Sequence, residues 1–219
     1  MTGSSAAEKG LPTGLVVAVI AMTLSVMALG AVVLVIQLQP PGVPETQAER
    51  DIAIWEQRVG DNPDSSWAHT GLGTAFEDAG RIGEARAEFE KAIALHPAEW
   101  LALLRLGVLD MEGDPASAER YLARSAEAAP RNSRVSPYMA LGDLRMAQGD
   151  ADGARKAYEG AVANAPYIYT AHFGLAQALE ALGDIDGAIE QYRRAADFNP
   201  SSPEVAAALA RLDATEATP

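Results

Sequence analysis

Apolar residues follow two different patterns along this chain. From Leu15 to Ile36 they are nearly continuous, LVVAVIAMTLSVMALGAVVLVI, interrupted only by Thr23, Ser25 and Gly30, and no charge occurs between Lys9 and Glu45. From residue 46 onward they recur every three or four positions, in segments of helical length separated by turns containing Gly or Pro. The first pattern predicts a helix surrounded by lipid, and the second a set of amphipathic helices that bury their apolar faces against one another.

The continuous segment predicts a transmembrane helix over 15–38 after a short tail, 1–14. At 1.5 Å rise per residue its apolar core spans about 33 Å, close to the hydrocarbon thickness of a bilayer. Its Leu, Ile, Val and Met side chains contribute about −6 kcal/mol to insertion, with no charge opposing them. A cleaved signal peptide is the rival reading, with Ala28-Leu29-Gly30 imitating a cleavage site, but the run exceeds an h-region of about 7 to 15 residues. Lys9 precedes the span, whereas Glu45 and Glu49 come before Arg50 beyond it. The positive-inside rule then places the N-terminus in the cytoplasm and the large domain on the extracytoplasmic side, periplasmic or outer. Ala21, Ser25 and Ala28 share one helix face, either as a helix-helix contact or as ordinary lipid-facing small residues. Gln39-Pro40-Pro41-Gly42-Val43-Pro44 breaks the helix, so 39–45 reads as a short, semi-rigid linker.

The periodic region repeats itself. Prolines at 63, 97, 130, 166 and 200 are spaced by 34, 33, 36 and 34. Gly80, Gly113, Gly149 and Gly183 keep the last three of these spacings, as do Ala85, Ala118, Ala154 and Ala188, and the bulky Phe89, Leu122, Tyr158 and Tyr192. Each first helix carries a small residue, at Gly73, Gly107, Gly142 or Ala176, which lets a second helix approach while the bulky side chain fills the space between units. The turn glycines are expected in the left-handed conformation after each first helix, and the prolines stop each second helix. The predicted units are 66–97, 100–130, 135–166 and 169–200. A capping helix precedes them over 46–60, with Trp55 standing relative to Pro63 as Phe89 stands to Pro97. A second cap is expected over 203–213, followed by a disordered tail over 214–219.

These landmarks resemble the tetratricopeptide repeat (TPR) family, and the resemblance covers about Ser66 to Pro200. It implies an α-solenoid of about four helix-turn-helix repeats with capping helices, so that, with the apolar N-terminal segment, the expected fold is all-α: a single transmembrane helix followed by the solenoid. Where the family often has tryptophan early in the first helix, this chain has His69, Leu103, Tyr138 and His172. The second unit is one residue short between Gly107 and Gly113 and has Ser125 where alanine is usual. The third is entered through two extra residues, with Ser136 and Pro137 expected as N-cap and first helical position and a local change of twist.

Composition removes several classes of function. The chain has 219 residues, no cysteine and a formal net charge of −13. It therefore has no disulfide or thiolate metal site, and its charge opposes nucleic acid as a partner. His69 and His172 stand at equivalent core positions too far apart to share a site, and His96 lies in a turn, so all three read as structural or surface histidines. Asp150-Ala151-Asp152-Gly153 and Asp184-Ile185-Asp186-Gly187 lack the later oxygen ligands of a calcium loop and read as helix caps. No phosphate loop or nucleophile elbow is present, so neither an enzyme nor a cofactor is expected.

What remains is a surface. The resemblance implies a concave groove lined by first-helix positions two, five, nine and twelve. Here these are Trp67, Thr70, Thr74 and Glu77; Leu101, Leu104, Val108 and Met111, with Arg105 beside them; Ser136, Met139, Asp143 and Met146; and Thr170, Phe173, Gln177 and Glu180. Such a groove would take an amphipathic helix or an extended apolar peptide of another protein. Leu101, Leu104 and Met139 could equally pack against neighbouring helices. The expected function is a membrane-anchored interaction module, an assembly or maturation factor or scaffold. The alternative is a permanent structural subunit of a membrane complex. The order of anchor, linker, lone helix and Asp61-Asn62-Pro63 turn also looks like that of accessory proteins of bacterial cytochrome c maturation, which hold apocytochrome.

Overall fold

The computed structural model describes residues 46–216. The expected tail, transmembrane helix and linker over 1–45 lie outside the described residues, as do 217–219. Among the described residues no helix is long and apolar enough to cross a membrane.

Ten α-helices follow one another: α1 (Gln47–Asp61), α2 (Ser66–Asp78), α3 (Ile82–Leu95), α4 (Trp100–Asp110), α5 (Pro115–Ala128), α6 (Val135–Ala147), α7 (Ala151–Asn164), α8 (Tyr169–Ala181), α9 (Ile185–Phe198) and α10 (Pro203–Glu216). Their starts are written in the sequence. Thr46 and Glu49 form a reciprocal capping box on α1, and Ser65 accepts from Ala68 N–H at the head of α2. Asp114, Asp150 and Asp184 accept the N–H of Ser117, Gly153 and Gly187 at 3.1, 2.9 and 3.0 Å, so the acidic pairs at 150–152 and 184–186 belong to helix caps.

Helices pair as antiparallel hairpins, α2 with α3, α4 with α5, α6 with α7 and α8 with α9. The hairpins close where glycine leaves room. A β-carbon on Gly73 would stand 2.6 Å from Phe89, and one on Gly107 2.6 Å from Leu122. Ala85, Ala118, Ala154 and Ala188 are fully buried beneath the same contacts. Each second helix then packs on the next first helix, and on the inner side first helices touch one another, α4 with α6 and α6 with α8. Trp55 covers Gly71 as Tyr158 covers Gly174, both glycines lying the same distance along the chain from the ring, so α1 meets α2 through the same kind of contact as α7 meets α8.

Three details differ from expectation. Gly80, Gly149 and Gly183 have φ of 73°, 76° and 80°, but Gly113 is not left-handed. The shortened α4 ends at Asp110, three residues before Gly113 instead of two, so this glycine is not at the C′ position. The third unit begins with a 3-10 turn, Arg131–Ser133, and its helix starts at Val135 with Arg134 as the preceding cap residue. Pro137 therefore sits inside the first turn, where backbone N–H groups have no helical partner to lose. Finally, α10 continues to Glu216, into the expected tail, because no Gly or Pro interrupts Asp213-Ala214-Thr215-Glu216.

Two of the three histidines, His69 and His172, are tied into the scaffold. His69 Nε2 meets the Pro63 carbonyl at 2.9 Å and its Nδ1 meets Glu88 at 2.6 Å; His172 repeats this with Pro166 at 2.9 Å and Gln191 at 2.8 Å. Each ring ties a first helix to the turn before it and to its own second helix. Ser125, in place of the usual alanine, is fully buried and donates to the Trp100 carbonyl at 2.7 Å.

Candidate protein-binding groove

First helices present their inner faces to a common groove with two bays. The first, about 470 Å³, lies among α1, α2 and α4 and is lined by Trp55, Trp67, Thr70, Gly71, Thr74, Trp100 and Leu101, with Asp51, Asp78 and Glu99 among its polar groups. The second, about 650 Å³, lies among α4, α6 and the start of α8, lined by Leu104, Arg105, Val108, Met111, Val135, Met139, Asp143, Ile168 and Thr170. Leu101 and Leu104, one turn apart on α4, divide the two.

Twelve of the seventeen residues named from the sequence thus line a bay, with differing access. Trp67 is 58% exposed and Val108 41%, whereas Leu104 is 9% and Thr70 only 2%. Leu104 packs into the core with Ala118, Leu122 and Leu144. The Thr70 and Thr74 hydroxyls donate to the Ser66 and Thr70 carbonyls at 2.9 Å, so both residues present little hydrogen-bonding capacity to a ligand. Glu77, Met146, Phe173, Gln177 and Glu180 lie outside both bays. Met146 packs beside Tyr158 and Leu175, and Phe173 stacks on Tyr169 with its edge to Tyr192. Gln177 borders a separate recess with Glu180 and Arg211, because Arg211 of α10 grips Glu180 at 2.6 and 2.8 Å across that end of the groove.

The sequence reading missed Trp55, Trp100, Asp51, Asp78 and Glu99. Counting groove positions on first helices alone passes over α1 and the helix-entry residues Glu99 and Trp100. The signal available was that all three tryptophans of the chain fall at the start of the repeat region; the structure brings all three to one bay. Trp55 and Trp67 meet edge to face at 4.7 Å, and the Arg58 guanidinium lies 4.6 Å from the first ring centre and 5.1 Å from the second.

Polar groups on the inner face are mostly tied to the scaffold. Asp143 accepts from the Tyr158 hydroxyl at 2.7 Å; burial, then this carboxylate, pushes the phenol well above its ordinary range. Burial and Glu180 push Tyr192 up to about 12. Arg105 pairs with Glu77, Nε to Oε2, at 3.7 Å; both atoms are buried and neither has a hydrogen-bond partner. Among the described residues no group of three or more His, Asp or Glu side chains is placed to hold a metal ion.

The sequence model of the tetratricopeptide repeat family matches residues 70–133 and 139–203, more than half of the chain. The chain belongs to the tetratricopeptide repeat family. No curated protein matches it by sequence. Among solved structures, this TPR chain is similar to PilF of Pseudomonas aeruginosa at 17% identity, TM-score 0.69, covering 77% of this chain and 76% of that one. It is similar to YrrB, a TPR protein with an unusual peptide-binding site, at 15% identity, TM-score 0.65, covering 74% and 83%. MamA aligns at 22% identity, TM-score 0.58, covering 68% and 81%. At these identities the likeness is one of fold.

Proposed function

We propose that this TPR protein is a membrane-anchored adaptor that holds an apolar segment of another protein in its groove, beside the bilayer, during assembly or maturation of that protein. The observation that carries the reading is the pair of adjoining bays on the inner face, with Trp67 and Val108 both exposed inside the concavity. Arg105, which lines the second bay, is held by Glu77 at 3.7 Å, so the open part of that bay is mainly apolar. A peptide-binding site on the similar fold of YrrB supports the same reading.

The anchor is the apolar stretch 15–38, with the N-terminus cytoplasmic because Lys9 precedes it and acidic residues follow. Ala21, Ser25 and Ala28 offer a close-approach face to another transmembrane helix.

Photocrosslinking from residue 111, which lines the second bay, in intact membranes tests this directly. A discrete crosslinked protein is expected, lost in Val108→Glu and Met139→Glu with helicity unchanged; undiminished crosslinking in both variants would remove the groove reading. Solubilisation and mass measurement then separate substoichiometric clients from the fixed complex of a permanent subunit. The narrower role in cytochrome c maturation rests on the order of anchor, linker, lone helix and turn, and unchanged c-type cytochrome content in cells lacking the protein would remove it.

A further inference from the structure

The two bays differ in charge, and the difference points to the chemistry of the segment they take. The first bay combines the three indoles Trp55, Trp67 and Trp100 with the carboxylates Asp51, Asp78 and Glu99. Asp51 accepts from the neutral Gln47 amide at 2.8 Å, and Glu99 from the Ser66 hydroxyl at 3.1 Å, with the half-exposed His96 ring 3.9 Å from the same oxygen. Among the ion pairs of the described residues, none involves Lys or Arg with any of these three carboxylates. Carboxylates left in this state beside low-dielectric walls attract a cation more strongly than they would in open water. The indoles are also suited to one: the Arg58 guanidinium already rests against Trp55 and Trp67. The second bay has only Arg105 and Asp143 among its charges, and apart from Ser136 and Thr170 its other walls are Leu, Val, Met, Ile and Ala.

We propose that the first bay is the specificity pocket of the groove and receives a Lys or Arg side chain of an extended partner segment, while the second bay takes an aliphatic side chain of the same segment. The methylenes of the basic residue lie along the indoles and its charged end reaches the carboxylates. Neighbouring bays are separated by about one interhelical spacing, 8–10 Å. At about 3.3 Å per extended residue, the basic and aliphatic positions fall two to four residues apart. The inference rests on the groove reading and adds a sign of charge and a spacing to it.

The test is selection of a random twelve-residue peptide library on the full-length protein in detergent, in parallel with the triple variant Asp51→Asn, Asp78→Asn, Glu99→Gln and with Val108→Glu. Enrichment of Lys or Arg two to four positions from Leu, Ile, Val or Met is expected on the parent protein and lost on both variants. Because every tryptophan of the chain lies in this bay, synthetic winners can be read by indole emission. The expected result is a saturable shift with at least tenfold weaker binding when the basic residue is replaced by norleucine, and a further loss at 0.5 M salt. Neutral or acidic peptides enriched on the parent and lost on Val108→Glu would overturn the charge assignment while leaving the groove reading in place. Equal enrichment on all three proteins, or on none, would overturn both.

Discussion

Gly73 and Gly107 carry no conformational role that another residue could not fill; what they supply is space. An added methyl at either would press on Phe89 or Leu122 at 2.6 Å, so Gly73→Ala and Gly107→Ala should each destabilise the protein by about 1–3 kcal/mol in urea unfolding. Gly83 is the counter-case, since it lies inside α3 with nothing within 4 Å of an added β-carbon, and Gly83→Ala should raise stability by about 0.5–1 kcal/mol. Glu88 has a consequence for pH. Burial pushes its carboxyl up, but hydrogen bonds from Lys91 and His69 outweigh burial and the net shift is downward. A carboxyl lowered by folding contributes stability that is complete above its ordinary value of 4.5 and is lost as pH falls through the lowered value. The melting temperature of the parent should therefore drop more steeply below pH 4.5 than that of Glu88→Gln. The landmark positions were legible one residue at a time, since each glycine, alanine and proline has a local or nearest-neighbour reason. Gly113 was not: its backbone depends on where α4 stops, and the sequence signal for that stop is a single missing residue.

At the scale of elements, each hairpin is completed by its neighbours. The last one buries Ala188, Ile189, Tyr192 and Ala195 against Val205, Ala208 and Leu212 of α10. Removing 203–219 uncovers that face and releases the Arg211 grip on Glu180. In a solenoid the effect should stay close to the cut. Hydrogen exchange on the truncated protein should show protection lost in α8 and α9 and largely kept in α2 to α5; uniform loss would mean the stack behaves as a single cooperative block. Helix identities and their order were legible because Pro and Gly punctuate the chain at a nearly constant period. Helix ends were less so, and both the start of α6 and the end of α10 fall away from their expected places because tertiary packing and the absence of a stop signal, respectively, set them.

Across the whole molecule, the groove variants separate two roles that the repeat pattern assigns alike. Leu104 and Val108 both stand at groove positions, yet one is 9% exposed and the other 41%. Leu104→Glu places a charge among Ala118, Leu122 and Leu144 and should cost about 3 kcal/mol or more of stability, whereas Val108→Glu should stay within about 0.5 kcal/mol by chemical denaturation. Val108→Glu is therefore the variant that reads docking. The sequence alone determined the period, the hairpins, the caps and the family, because these follow from residues close together in the chain. Only the tertiary structure decided which inner-face residues remain open, and that Trp55, Trp67 and Trp100, contributed by three different helices, share one acidic bay. Accessibility depends on how closely neighbouring units stack, and no spacing within a single repeat carries that information.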